Sequence, residues 1–277
     1  MRKMCIVGGY GAMGQMICRF LSQLSNYQVT LFGEKDWDDP KSKLKAQDLV
    51  LISVPIDITD AIIEKVAIYL DKQTILADFT SIKADPLNKM LKSHQGPVLG
   101  LHPIFGPTID AAENQVIVAC QGREPEKYQW FLEDLKQLGF TLEAMSAKEH
   151  DKAMGFIQGI EHFTTFCVGQ YLKKNHIDIN RLMKIASPVY KMELNIIGRL
   201  FDQDPGLYAN IILSDSSRLA LIAQFAKFIG DEAEAIQTGN KADFIDKFNA
   251  VKQWMGDFTT QAYRDSDQLL GVKINKS

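Results

Sequence analysis

The chain has 277 residues, with 31 Lys+Arg against 34 Asp+Glu and a formal charge of −3. At ~150 residues per domain this length suits one large or two ordinary domains, and 46% hydrophobic with 23% charged residues describes a globular protein with a real core. Disordered and fibrous classes are excluded, and so small a net charge argues against a nucleic-acid partner gripped along a basic face.

The first apolar run, Met4–Val7, is cut short by Gly8-Gly9, so it is not a secretory signal. The strongest run, Leu49–Val54, is far below the ~20 residues that span a bilayer. The cysteines (Cys5, Cys18, Cys120, Cys167) show no Cys-x-x-Cys or Cys/His ligand spacing. Neither a metal nor a disulfide framework is expected, and scattered thiols fit a reducing compartment. The chain reads as soluble and cytoplasmic, with no membrane partner.

From Met4 to about Ser146, short apolar runs alternate with amphipathic segments. The runs are Met4–Val7, Gln28–Phe32, Leu49–Val54, Thr74–Asp78, Pro97–Leu101, Val116–Cys120 and Phe140–Ala144. This pattern predicts an α/β domain over residues 1–146, a Rossmann-type, doubly wound, mostly parallel sheet. Beyond it the pattern turns helical, predicting an all-α domain over 147–277. Ser146-Ala-Lys-Glu149 reads as a capping box opening a long helix with Met154, Ile157, Ile160, Phe163 and Cys167 at steps of three or four. A second helical stretch covers about Ile179–Phe201, disturbed at Ser187-Pro188. Asp204-Pro205 starts a third helix, and a last one covers about Lys241–Arg264.

Gly9-Tyr10-Gly11-Ala12-Met13-Gly14 follows the first strand and leads into a helix. Gly9 is expected to make the turn, Gly11 to admit a pyrophosphate and Gly14 to let helix and strand pack closely. The helix N-terminus then offers free N–H groups to the phosphates. At the end of the second strand an acid normally binds the adenosine ribose hydroxyls. Gly33 occupies that place, so Glu34 is the candidate, which favours NAD over NADP, with Lys35 as a possible partner for a 2′-phosphate.

Ligands of open α/β sheets sit outside the carboxyl ends of strands. There Ser53, Val54 and Pro55 would line the cofactor, Ser81 follows the fourth strand and His102 ends the fifth. An imidazole titrates near neutral pH and can take the proton that hydride removal from an alcohol releases. Of the other histidines, His94 and His176 lie in polar stretches and are read as exposed. His150, in the first turn of the capped helix, is read as solvated. His162 is either a satisfied core histidine or a substrate donor. Lys191 and Arg199 are 199 − 191 = 8 residues apart, a little over two turns, and so roughly share a helix face. Together they could bind an anion, Arg199 through its bidentate fork.

Val7-Gly-Gly-Tyr-Gly-Ala-Met-Gly14, Ile52-Ser-Val-Pro55, Ser81-Ile-Lys83 and Leu99-Gly-Leu-His-Pro-Ile-Phe-Gly-Pro107 resemble prephenate dehydrogenases. The nearest likeness is to the dehydrogenase part of the bifunctional chorismate mutase/prephenate dehydrogenases of bacterial tyrosine biosynthesis. It continues through Glu149-His-Asp151, Phe156-Ile-Gln158, Ser187-Pro-Val-Tyr190 and Gly198-Arg-Leu-Phe-Asp-Gln-Asp-Pro205. The resemblance implies oxidation and decarboxylation of prephenate by NAD+ to 4-hydroxyphenylpyruvate, CO2 and NADH. It implies His102 as the catalytic base, Ser81 near the hydroxyl and nicotinamide, and Arg199 on a substrate carboxylate. Lys191, His162 and Tyr208 fall at positions associated with substrate or effector. A homodimer inhibited by tyrosine is implied as well. Gly33 and Lys191 depart from the pattern, standing where relatives place an acid and an arginine. The chain begins at the first strand, so it reads as a monofunctional dehydrogenase or a piece of the longer protein. Two rivals remain: a β-hydroxyacid-type dehydrogenase, which Lys191-xxx-Asn195 imitates, and a regulator that senses NAD without chemistry.

Overall fold

The computed structural model describes residues 1–213 and 216–271. Strand β1 (Arg2–Val7) leads through the glycine loop into α1 (Ala12–Leu21), and β2 (Tyr27–Phe32) is followed by a 3-10 turn, Glu34–Asp38, and α2 (Lys41–Leu44). Then come β3 (Leu49–Ile52), α3 (Ile56–Ala67), β4 (Ile75–Asp78), α4 (Ala84–Ser93), β5 (Val98–Pro103), β6 (Val116–Arg123), α5 (Pro125–Gln137) and β7 (Thr141–Ala144). These strands form one sheet in the order β2-β1-β3-β4-β5-β6-β7. Every pairing is parallel except β5 with β6, where His102 faces Val118 in antiparallel register. The exception has a local cause. Residues 104–115 hold no helix, and a parallel return would need a crossover.

Period-two alternation splits the strand residues between two buried layers. Met4, Ile6, Leu49, Leu51, Leu99 and Leu101 pack with α1 and α5 on one face. Cys5, Val7, Val50, Ile52, Leu76 and Val98 pack with α3 and α4 on the other. Because helices cover both faces, the inner strands β3, β4 and β5 are buried throughout and have no solvent side, which is why they read as apolar runs, whereas β2 and β7 at the sheet edges stay partly exposed.

The helical part begins with α6 (Ala147–Met154), opened by the capping box: Glu149 N–H donates to Ser146 Oγ (3.2 Å), and Ser146 N–H to Glu149 Oε2 (3.0 Å). The long helix expected there is interrupted by a π-helical turn, Gly155–Ile160, before α7 (Glu161–Lys174). Next are α8 (Ile179–Ile185), α9 (Pro188–Phe201), α10 (Pro205–Leu213), α11 (Ser216–Gln237), α12 (Lys241–Met255) and α13 (Phe258–Leu269). Ser187 caps α9 by accepting from Tyr190 N–H, so the expected disturbance at Ser187-Pro188 is a break. The single last helix expected is two, divided at Gly256, whose φ of 56° lies in the left-handed region. No helix among the described residues is long and apolar enough to cross a membrane.

Contacts divide the chain into two compact units, Met1–Gln158 with Gly206–Ser214, and Gly159–Pro205 with Asp215–Ser277. The first therefore runs on past β7 through α6 and most of the π-helical turn, and it includes much of α10. In the second, α7 packs on α9 closely enough that a Cβ on Gly169 would lie 2.1 Å from the Phe201 ring.

Candidate active site

The loop after β1 is shaped to hold a dinucleotide. Its left-handed residue is Gly8, with φ of 82°, one position before the glycine expected to make the turn. A Cβ on Gly14 would meet Gly9 Cα at 2.6 Å, so α1 starts hard against the loop. Gly11, the N-cap of α1, has no side-chain partner on the helix end, and Tyr10, Gly11 and Ala12 are exposed. The N-terminal N–H groups of α1 and its positive dipole end are thus open to phosphate oxygens. Met13 is half-buried against the core. Across the crevice, Ser53 N–H donates to Val7 O (2.7 Å), which brings Ser53 and Val54 beside Gly8, and Pro55 caps α3. The donors and the bare glycine cradle fit a pyrophosphate.

At the end of β2, Gly33 precedes the 3-10 turn and Glu34 is its exposed first residue. Asp36 is committed elsewhere. Its Oδ2 accepts from Gly33 N–H (2.8 Å) and its Oδ1 pairs with Lys43 Nζ (2.7 Å).

The carboxyl ends of β4 and β5 adjoin, with Asp78 opposite Gly100, and this juxtaposition places Ser81 and His102 on neighbouring strand ends. His102 is 3% exposed. Its Nδ1 lies 2.7 Å from His150 Nε2, and His150 Nδ1 lies 2.7 Å from Asp151 Oδ1. Asp151 Oδ1 and Oδ2 in turn accept from Lys83 N–H (2.7 Å) and Ala84 N–H (2.8 Å), so a carboxylate from α6 caps α4. Burial alone would raise the Asp151 carboxyl, but the bonds from His150, Ala84 and Lys83 outweigh it and hold it below the usual carboxylate range.

These contacts fix the tautomers. A carboxylate only accepts, so His150 Nδ1 carries hydrogen and, in the neutral ring, its Nε2 accepts. His102 Nδ1 must then be the donor, which leaves a lone pair on His102 Nε2. Gln158, on the π-helical turn, brings its Nε2 to 3.5 Å from that atom. Gln158 Oε1 is buried and has no partner among the described residues. A π-turn of this kind often marks a functional site.

Beneath the pair lies a buried ion bridge. Lys83 Nζ donates to Asp78 Oδ2 and to Leu101 O (2.8 Å), and both charged side chains are 0% exposed. Burial lowers the Lys83 ammonium below its ordinary range, and Asp78 offsets part of that.

Two of the sequence expectations are corrected here. His150 is not solvated but 0% exposed and bonded to His102. His94, expected to be exposed, is 3% exposed, with Nε2 on Thr74 O at 2.7 Å. His150, Asp151, Gln158 and Lys83 stood in the sequence without assigned roles. A sequence pattern does not show that a first-turn histidine turns inward.

The remaining candidates fall on several helices. Tyr208 is half-buried on α10, in the first unit. Lys191 (half-buried) and Arg199 (exposed) share α9 in the second unit. His162, on α7, is held below its ordinary range by burial and by the Arg218 cation. Arg218, on α11, is 1% exposed, and nothing in the sequence pattern marked it.

A dinucleotide cradle and a buried strand-end imidazole, both at the carboxyl edge of one sheet, define a dinucleotide-dependent oxidoreductase. Residues 22–127 match the family model for the prephenate dehydrogenase nucleotide-binding domain, and 146–250 that for the prephenate dehydrogenase dimerization domain. The chain is 43% identical over 270 residues to the T-protein of Enterobacter agglomerans, covering 98% of this chain and 72% of that protein. It is 42% identical over 268 residues to the T-protein of Haemophilus influenzae, covering 97% and 71%. A solved prephenate dehydrogenase from Aquifex aeolicus, in complex with hydroxyphenyl propionate and NAD+, has the same fold. Its TM-score is 0.74 at 17% identity, covering 91% of this chain and 96% of that one. The chain belongs to the prephenate dehydrogenase family.

Proposed function

We propose that the chain catalyses the NAD-dependent oxidative decarboxylation of prephenate to 4-hydroxyphenylpyruvate. The observation that carries this reading is the Asp151–His150–His102 relay, which sets the tautomer that makes His102 Nε2 the basic nitrogen. Tyr10, Gly11, Ala12, Met13 and Gly14 would hold the pyrophosphate, Ser53, Val54 and Pro55 would line the nicotinamide side, and Glu34 would face the adenosine ribose. When bound, NAD+ takes up the hydride from the ring carbon that bears the hydroxyl.

His102 Nε2 receives the hydroxyl proton as that carbon becomes a carbonyl, and Ser81 holds the same oxygen. The positive charge on His102 is spread through His150 toward the Asp151 carboxylate, which needs no reorganisation because two backbone N–H groups already fix it. The bond from the ring to its carboxylate then breaks and CO2 leaves. Its electron pair enters the ring, which becomes aromatic, and the ring oxygen takes the proton back from His102. The chain need not activate the decarboxylation separately, because aromatisation drives it.

Arg199 would grip a substrate carboxylate, with Lys191, His162 and Tyr208 contributing to substrate or effector binding. Initial rates with NAD+ should be high with prephenate and negligible with short β-hydroxyacids; turnover of the latter alone would end this reading. In the same assay Arg199→Ala should raise KM for prephenate by roughly 10- to 100-fold, the loss of a charge-assisted bond worth ~1.5–3 kcal/mol. An unchanged KM would remove Arg199 from the site.

A homodimer is the assembly this reading favours. Phe228, Ile236, Phe244, Phe248 and Val251 line an apolar groove in the second unit, and Phe228, Ile236, Phe244, Phe248 and Val251 are each more than half exposed. Large exposed apolar patches mark interfaces, and this one lies within or beside the residues matched to a dimerization domain. Inhibition by tyrosine, the product's transamination partner, belongs to the same proposal.

A further inference from the structure

Gly33 has no backbone reason to be glycine. Its φ of −140° and ψ of −166° are extended, a conformation open to any residue. What a side chain there would meet is the neighbouring aromatic ring, which would have to shift: a Cβ on Gly33 would lie 2.7 Å from Tyr10 Cδ2 and 3.1 Å from Tyr10 Cε2. Tyr10 comes from the glycine loop and is 57% exposed, so its ring lies at the surface beside Gly33 rather than in the core. Lys43, ion-paired with Asp36, lies on the same ring, with Nζ 5.9 Å from its centroid.

Gly33 directly follows the last residue of β2, where a dinucleotide fold places the carboxylate that takes the ribose hydroxyls. We propose that Tyr10 and Gly33 form an interlocking pair that replaces this carboxylate: the phenol ring occupies its volume and becomes the wall of the adenosine-ribose subsite. The inference rests on the dinucleotide reading of the crevice above. A phenol can hydrogen-bond a ribose hydroxyl, yet it carries no charge to repel a 2′-phosphate. Discrimination against NADP+ therefore falls to Glu34, one residue further on, and is correspondingly weak. The same packing makes the pair interdependent. An acid installed at position 33 displaces the ring at position 10.

The test is a double-mutant cycle on dinucleotide binding by the purified protein without prephenate, read by calorimetric titration with NAD+ and NADP+. Gly33→Asp alone should weaken NAD+ binding at least fivefold, because the displaced ring swings into the crevice. Tyr10→Gly alone should weaken it about two- to fivefold. Tyr10→Gly with Gly33→Asp should bind NAD+ more tightly than either single variant and raise the NAD+/NADP+ preference at least tenfold over the wild type. Thermal melting of each variant without cofactor verifies that the fold is intact. Additive effects in the cycle, or an unchanged NAD+/NADP+ preference in the double variant, would overturn the pairing. Wild-type protein that binds neither dinucleotide would overturn the cofactor reading itself, and the pair with it.

Discussion

His102→Asn should lower kcat by ~10²–10⁴, the range for a lost general base, while the dissociation constant for NAD+ stays within about a factor of three. Asparagine is the informative replacement. Its side-chain N–H can take over the bond that His102 Nδ1 makes to His150 Nε2 (2.7 Å), so the relay and the packing survive, but no basic nitrogen remains at the Nε2 position. The pH profile separates this role from a structural one. Wild-type activity should rise with pH as His102 loses its proton, since only the neutral imidazole can accept another. The variant's residual activity should not follow that curve. A regulator that senses NAD without chemistry would need no such base, and in that case His102→Asn would leave its function intact.

Lys83→Met should destabilise the protein by ~3–5 kcal/mol, the usual cost of stranding one member of a buried ion pair. Asp78 is 0% exposed, its Oδ1 has no partner among the described residues, and Oδ2 would keep only the Thr80 N–H (3.0 Å) once Lys83 is gone. At roughly 2–4 °C per kcal/mol for a domain of this size, the melting temperature should fall by roughly 6–20 °C. Removing both charges, as Lys83→Met with Asp78→Leu, should recover much of that loss, because no unpaired charge remains. If the single variant melts with the wild type, the bridge contributes nothing to stability. Since Lys83 Nζ also holds Leu101 O, next to His102, the single variant should lose activity beyond what its melting explains.

The middle of the sheet was legible because β3, β4 and β5 are buried on both faces and so declare themselves as apolar runs. Leu49–Ile52 and Ile75–Asp78 lie within the stretches read as strands. The antiparallel β6 was not marked, because its direction depends on what residues 104–115 fail to form rather than on β6 itself. The capping box at Ser146 located the start of α6, but nothing in the 3.6-residue period announced the π-turn at Gly155–Ile160. That turn carries Gln158, whose neighbour His102 lies 56 residues away in sequence. Likewise the glycine fingerprint and the strand-end position of His102 follow from local pattern. The inward turn of His150, the capping of α4 by Asp151 and the buried Lys83–Asp78 bridge are decided by partners 48, 68 and 5 residues away or more in sequence. Charged residues read as surface until a partner in space is known.

The most direct test of the central claim is product analysis in one vessel. Protein, prephenate and NAD+ are mixed, and NADH, CO2 and 4-hydroxyphenylpyruvate are measured together. The three should form in equal amounts with wild-type protein and at a rate lower by ~10²–10⁴ with His102→Asn. No NADH from prephenate, or undiminished formation by the variant, would contradict it.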